Sequence, residues 1–516
     1  MTSSLLIVAG EAFPLAKTGG LADAVAGLSE ALLQRGVPLH VLLPAYRGAR
    51  SQVRIDREWV LDGLPGGAAH VFRGQCRSTG LPCLLLDNPA LFDRPGCYVD
   101  ENGADYADNA QRFAALAHTA AAVARGLPGL QRPTIVHAHD WHAGLVPLLV
   151  KAANPAVRTI MTIHNLALHG SFPLEKQSDL KLPPALEAAE GLTAWGRLNF
   201  LQAGIAQADR VTTVSRNYAL EVLEEAGGCG LHPALRARGG DFRALPNGID
   251  TRIWNPAADP FLGEGCFDVH TLGTKAVWKS RLQKSFGLNQ DRDALLVVSC
   301  SRLTEQKMAD WTADALPAAL EALPNVQFAV LGQGAHRIAQ TFQDLAQRYP
   351  GRCAVRISYD EMTAHRLHAG ADVLWHPSRF EPFGLAPLYA MRYGTLPVAT
   401  RVGGLVDTIH DPGQTASATA MMAATGLLFE PDEPQAMQNA LARVLNLRDN
   451  EVIWRAMRRN AMQADFGWPQ AVKAYQTLFA ELEGRLPALQ AARGVSRPVY
   501  RPRPSVRDSA TALHMS

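Results

Sequence analysis

The sequence predicts an α/β protein of two Rossmann-like domains, each a mostly parallel sheet covered by helices, facing each other across a cleft. Three observations carry that expectation. Short apolar, β-branched runs alternate with longer helical stretches. The alternation stops at the turn-rich stretch Pro246-Asn247-Gly248, Asn255-Pro256 and Pro260, then starts again. The length of 516 residues allows two to four domains at roughly 100–200 residues each. Hydrophobic residues make up 47% and charged residues 19%, a balance that buries large cores and excludes disorder of the whole chain.

The first apolar run is Leu5–Ala9. A Gly19-Gly20 turn follows, then a helical stretch to about Gln34 and a second run, Val37–Leu43. The sequence to about residue 100 is less regular. Thr134–His137, Arg158–Ile163 and Arg210–Val214 are the next strands, each followed by a helical pattern. The second series is Leu295–Cys300, Val326–Leu331, Ala354–Ile357, Val373–Trp375 and Leu396–Ala399. These patterns place one domain at 1–250 and the other at 251–470. A helix over 471–494 is expected to cross back to the first domain. Residues 495–516 carry Arg497, Arg501, Arg503 and Arg507 among Pro, Ser and Ala and read as a disordered tail. Ligands of such sheets sit at the C-terminal ends of the strands, so the loops directly after the strands are the informative ones.

Composition removes several functions. Fifty Lys and Arg against 48 Asp and Glu leave a net charge of +2, which calls for neither nucleic acid nor an anionic membrane as partner. The cysteines, Cys76, Cys83, Cys97, Cys229, Cys266, Cys300 and Cys353, show no C-x-x-C spacing and read as reduced thiols. The start, Met1 to Ala9, lacks the basic residues and longer apolar core of a signal peptide. No window approaches the ~18 apolar residues of a membrane span. The expected location is the cytoplasm.

Five post-strand loops hold chemistry. In the first, Glu11, Phe13, Lys17, Thr18, Gly19, Gly20 and Asp23 read either as a phosphate cradle at a helix N-terminus or as a tight turn with a solvated lysine. Arg302 and Lys307 after Leu295–Cys300 offer a planar fork and a compact charge that suit a diphosphate, or are two surface cations in a polar loop. Glu381 is an acceptor for sugar hydroxyls or a helix-start acid favoured by the dipole. His164 follows a strand and is a ligand contact or a structural histidine. His137, His139, Asp140, Trp141 and His142 raise the question of a metal. Spacings of two and three, with an apolar Trp between ligands and no further set, argue against one.

The same residues sit in strings that resemble the bacterial glycogen synthase and plant starch synthase family over nearly all of residues 3–482. Lys17 to Asp23 read K-T-G-G-L-A-D, and Tyr106 to Phe113 fit Y-x-D-N-x-x-R-F. His137 to His142 read H-A-H-D-W-H, and Thr162 to Ala167 read T-I-H-N-L-A. Asn199 to Ile205, Asn247-Gly248-Ile249-Asp250, Trp254-Asn255-Pro256, Ser301 to Lys307, Pro377 to Leu385, Arg392 to Pro397 and Gly403-Gly404-Leu405 follow in the family's order.

The resemblance implies the two-domain GT-B architecture and transfer of glucose, with retention, from ADP-glucose to the end of an α-1,4-glucan such as glycogen or a maltooligosaccharide, without a metal or other cofactor. It implies catalytic roles for His164, Arg302, Lys307 and Glu381. Lys17, Gly19, Gly20, Arg302, Lys307, Gly384 and Leu385 are the implied nucleotide-sugar contacts. Tyr106, Asp140, Trp141, His142, Asn165 and Asn247 are the implied sugar and acceptor contacts. Departures are Met308 for a glycine, Phe383 for a cysteine, Ala386 and Pro387 for threonine and glutamine, and Arg216 for a proline. Tyr389 stands where many relatives of the fold have a second glutamate. A UDP-glucose enzyme, a maker of small glucosides, and a non-catalytic glucan-binding protein are the competing readings.

Overall fold

The computed structural model describes residues 4–101, 103–358, 360–413, 417–433 and 435–485, so the 495–516 tail and the end of the 471–494 segment lie outside the described residues. The chain divides into two compact units. One comprises Met1–Thr213, Gly228–Leu245 and Val472–Ser516, the other Val214–Gly227 and Pro246–Ala471.

In the first unit, β1 (Leu5–Val8), β2 (Leu39–Pro44), β3 (Val53–Leu61), β4 (Ala69–Cys76), β5 (Pro82–Asp87), β6 (Ile135–His139), β7 (Arg158–Ile163), β11 (Arg210–Thr213) and β12 (Phe242–Ala244) form a sheet in the order β12-β11-β7-β6-β1-β2-β5-β4-β3. A separate small sheet holds β8 (Ser171–Pro173), β10 (Arg197–Asn199) and β9 (Thr193–Ala194). From β12 to β5 every pairing is parallel. The all-apolar β1 is buried along its whole length, as expected of a strand covered on both faces. The stretch expected to be irregular instead adds β5, β4 and β3 as antiparallel neighbours. β3 is largely exposed, so its sequence Val-Arg-Ile-Asp-Arg-Glu-Trp-Val-Leu never shows the apolar run of a buried strand.

The Tyr106–Phe113 string is a structural device in this unit. Arg112 is fully buried; its Nε donates to Leu91 O (2.7 Å) and its Nη1 to Asn109 Oδ1 (2.6 Å). Asn109 in turn donates to Tyr98 O (2.9 Å), and Asp108 pairs with Arg94 at 2.5 Å. The helix Asn109–Arg125 thereby fixes the loop that carries Tyr98 and Tyr106.

The second unit is an all-parallel sheet. It contains β13 (Leu295–Cys300), β14 (Val326–Gly332), β15 (Cys353–Ile357), β16 (Val373–His376), β17 (Leu396–Thr400) and β18 (Leu427–Phe429), in the order β15-β14-β13-β16-β17-β18. β18, only three residues long, has no counterpart in the sequence reading. Trp375 of β16 is fully buried, and its Nε1 donates to Thr312 Oγ1 (3.1 Å). The helix Trp468–Leu482 begins in the second unit and ends in the first, where Glu481 pairs with Arg243 at 2.7 Å.

Asp372, just before β16, is held by Leu296 N (3.0 Å) and by Lys279 Nζ (2.8 Å). Burial would raise its carboxyl pKa, but Lys279 outweighs it and holds the group ionised. Lys279→Ala leaves that carboxylate buried without its cation and is expected to lower stability by about 3 kcal/mol in denaturant unfolding.

Candidate active site

In the first unit the loop after β1 is organised by Glu11, which is 2% exposed. Its carboxylate accepts hydrogen bonds from Thr18 N (2.5 Å), Thr18 Oγ1 (2.7 Å), Gly19 N (3.3 Å) and Tyr98 Oη (3.0 Å). Burial raises its pKa against those donors. Sequence reasoning named Glu11 only as a member of the loop, because three of its donors depend on how the loop folds and the fourth, Tyr98, is 87 positions away. Lys17 is held over the loop by Asp23 at 2.9 Å, with its Nζ 5.2 Å from the Phe13 ring centre. Gly10 has no room for a side chain: a Cβ there would meet Tyr98 Oη at 2.7 Å and the His142 ring at 2.8 Å.

β6 runs through His139, two residues beyond its expected end, so His137 and His139 lie in the sheet and Asp140 opens the loop. Asp140 has φ 54° and ψ −177°, a conformation almost confined to glycine. The strain places its Oδ1 under the backbone N–H groups of His164 (2.7 Å) and Asn165 (3.3 Å). His164 Nε2 and His139 Nδ1 share a hydrogen bond of 2.9 Å, and His137 bonds to Thr162 Oγ1 (2.6 Å). Burial pulls His137, His142 and His164 down to about 3, and His139 lower than the ordinary range as well. The cluster is therefore neutral at pH 7, and His164 acts there as an imidazole rather than a cation. Among the described residues no group of three or more His, Cys, Asp or Glu side chains is disposed to hold a metal. Trp141 is buried, packed against Phe113 (centroids 4.9 Å), His142 (4.1 Å) and Phe172 (5.8 Å). Tyr106 lies between the guanidinium groups of Arg94 (4.8 Å) and Arg112 (4.9 Å).

In the second unit the loops after β13, β16 and β17 gather round one carboxylate. Glu381 Oε2 is bonded by Lys307 Nζ, by Ser378 Oγ (3.0 Å) and by His376 Nε2 (3.3 Å). Its Oε1 has no hydrogen-bond partner among the described residues. Burial would raise this carboxyl, but Lys307 and His376 outweigh it and hold the group well below the usual carboxylate range. Gly403, at φ 46°, lies over the Glu381 carbonyl so closely that a Cβ would overlap it, and Gly404 N donates to that oxygen (2.9 Å). Gly384 (φ 88°) precedes the helix Leu385–Arg392, whose first N–H groups lie next to Glu381 in sequence. Arg302 is exposed, and among the described residues its guanidinium bonds Gln306 Oε1 alone (3.2 Å).

Three departures acquire physical explanations. Met308 takes the left-handed φ of 48° for which glycine is the natural residue, and its side chain is 3% exposed in the core. Tyr389 stacks on Trp254 (centroids 3.9 Å), which stacks on His365 (4.0 Å), so the position of the second glutamate is filled by packing. Phe383 is buried in the second unit's core. Asn247 is buried, and Gly248 beside it packs against the Trp468 backbone at 2.7 Å.

Residues 4–237 match the family described as starch synthase catalytic domain, and residues 294–447 the family described as glycosyl transferases group 1. A glycogen synthase of Bordetella petrii is 53% identical over 493 residues, which cover 94% of this chain and 95% of that protein. One of Ralstonia nicotianae is 49% identical over 526 residues, covering 99% and 96%. The catalytic domain of starch synthase IV from Arabidopsis thaliana, solved bound to ADP and acarbose, is similar with a TM-score of 0.82 at 30% identity, covering 94% of this chain and 100% of that one. Sucrose-phosphate synthase from Thermosynechococcus elongatus shares the fold, with a TM-score of 0.57 at 18% identity over 94% of this chain and 100% of that one. Two α/β units on mostly parallel sheets, with these likenesses, define a glycosyltransferase of GT-B architecture. Within that class the chain belongs to the glycogen synthase and starch synthase family.

The Asp140 carboxyl has a measurable signature. Burial lifts it to about 7, against the two backbone N–H groups that bind it. A carboxyl raised on folding stabilises the protein fully only below its unfolded pKa and loses that contribution as pH rises through its folded value. Asp140→Asn is expected to gain on the wild type by up to roughly 1.4 kcal/mol per pH unit between about pH 4 and 7, and to hold a constant difference above that. The buried histidines run the other way in both proteins, losing stability as pH falls below about 6.5, and cancel in the comparison. Unfolding curves at stepped pH give the difference directly.

Proposed function

We propose that this chain transfers glucose from ADP-glucose to the non-reducing end of an α-1,4-glucan, with retention of configuration, in the cytoplasm. The observation that carries the reading is the Glu381 carboxylate, bound on one oxygen by Lys307, Ser378 and His376 with its second oxygen open. An ionised, rigidly held acceptor of this kind suits the hydroxyl groups of a donor sugar. The relatives named glycogen synthase and the ADP-bound starch synthase structure support a nucleotide-sugar donor and a glucan acceptor.

In this mechanism Arg302 and Lys307 bind the diphosphate, with Lys17, the N–H groups of Gly19 and Gly20, and those of Gly384 and Leu385 as further donors. As the C1–O bond to phosphate breaks, negative charge grows on the leaving oxygen, and fixed cations lower the barrier. The acceptor 4-hydroxyl attacks C1 from the same face and passes its proton to the departing phosphate. Retention by double displacement needs a carboxylate nucleophile. Asp140 is occupied by two backbone N–H groups, which favours front-face transfer. His164, neutral and partly exposed, orients the glucose without adding charge beside the cation-like C1. Asn165, Trp141, His142, Tyr106 and Asn247 shape the places of sugar and acceptor.

A panel of ADP-glucose and UDP-glucose against glycogen, maltooligosaccharides and small acceptors tests the assignment. Glucan lengthening with ADP-glucose preferred is the expected result; UDP-glucose preference overturns the donor, and no lengthening with either overturns the function. Glu381→Gln, which keeps shape and removes charge, is expected to lower kcat by roughly 10²–10³ in a protein that remains folded at the assay temperature by its melting curve. Wild-type kcat in that variant removes Glu381 from the mechanism.

A further inference from the structure

A second place in the molecule is built for an anion. A cavity of about 940 Å³ lies in the second unit between the helices Lys275–Phe286 and Glu451–Gln463. Its wall includes Asp372, which directly precedes β16, and Arg292, which precedes β13. It therefore opens at the N-terminal ends of the strands, whereas Arg302, Lys307 and Glu381 follow the C-terminal ends. Six cationic side chains line it: Lys275, Lys279, Arg292, Arg455, Arg458 and Arg459.

Three of the six are already matched. Lys279 pairs with Asp372 at 2.8 Å and Arg455 with Glu451 at 2.5 Å. Lys275 donates to His368 O (3.0 Å), Ala369 O (2.9 Å) and Thr395 Oγ1 (2.9 Å). Burial, reinforced by Arg458 and Lys279, pushes its pKa far down. Arg292, Arg458 and Arg459 make no ion pair within 4 Å among the described residues; Arg292 and Arg459 are exposed, and Arg458 feels the charge of Asp372 without a direct bond to it. Arg458 donates through Nε to Gly394 O (3.1 Å), while its Nη2 is buried with no partner. A buried donor left unanswered carries a desolvation cost that an anion in the cavity would remove.

We propose that this cavity binds a small phosphate-bearing anion, a phosphate monoester or a diphosphate, through Arg292, Arg458 and Arg459. Planar forks match the oxygen geometry of phosphate. Three guanidinium groups without a direct ion pair suit a multiply charged anion better than a single carboxylate. The volume is that of a site for a small metabolite. The wall adds the Ser280 hydroxyl and the Gln290 amide as neutral donors, and Trp454 as a reporter.

Titration calorimetry of the full chain with sodium pyrophosphate at constant ionic strength tests the site, with Trp454 fluorescence followed in parallel. Inorganic phosphate and glucose 1-phosphate in separate titrations distinguish a free from a sugar-borne phosphate. Binding is expected to persist in Lys307→Ala, which disables the other phosphate site, and to weaken roughly tenfold or more in Arg458→Gln/Arg459→Gln. Should that pair fail to fold, Arg292→Gln/Arg459→Gln, both at exposed positions, gives the same readout. Pyrophosphate binding that vanishes in Lys307→Ala, or that is undiminished in the arginine variants, overturns the proposal.

Discussion

The site in the second unit depends on keeping a carboxylate charged where water is scarce. Burial alone would protonate Glu381. Lys307, His376 and Ser378 all bond the same oxygen and reverse that tendency, leaving the other oxygen unoccupied. The backbone around it is shaped to the same end. Gly403 approaches the Glu381 carbonyl closer than any side chain allows, and Gly404 donates to it. Ser378 is itself fixed through Thr400, whose Oγ1 accepts from Ser378 N (2.8 Å) and donates to Ser378 O (2.7 Å). A charged group held this firmly needs little reorganisation when it meets a ligand, which is the condition for electrostatic stabilisation to lower a barrier.

The cluster in the first unit solves the opposite problem. Its histidines are neutral, and its carboxyl groups, Glu11 and Asp140, are raised in pKa and occupied by backbone N–H groups. The strained Asp140 makes sense in that setting, because its side chain fixes the backbone at His164 and Asn165. The post-strand loops of the first unit are thus built on shape and neutral polarity, and those of the second on a held charge.

The α/β class and the restart of the strand pattern after residue 260 were legible, because strands of parallel sheets are continuous apolar runs. The β3–β5 meander was not, since β3 is solvated and carries charges along its length. Domain limits were hidden for a different reason: Val214–Gly227 groups with the second unit through long-range bonds, such as Glu221 Oε1 accepting from Gly403 N (2.8 Å). In the site, the strings around Lys17, His164, Lys307 and Glu381 marked the loops. They did not reveal that Glu11 ties the first loop together or that Asp140 adopts a glycine-like conformation. Both depend on the folded path of the loops, which brings Tyr98 to Glu11 and the backbone of His164 and Asn165 to Asp140. Met308 and Tyr389 show the same limit, since an odd residue becomes intelligible only when its φ or its stacking partner is known.

The central claim is that Lys307 and Glu381 work as one unit. A double-mutant cycle on kcat/KM for glucosyl transfer, with Lys307→Ala, Glu381→Gln and the double variant, measures their coupling. The account predicts that the double variant is scarcely slower than either single one, because each substitution already dismantles the pair. Losses that simply add would contradict it.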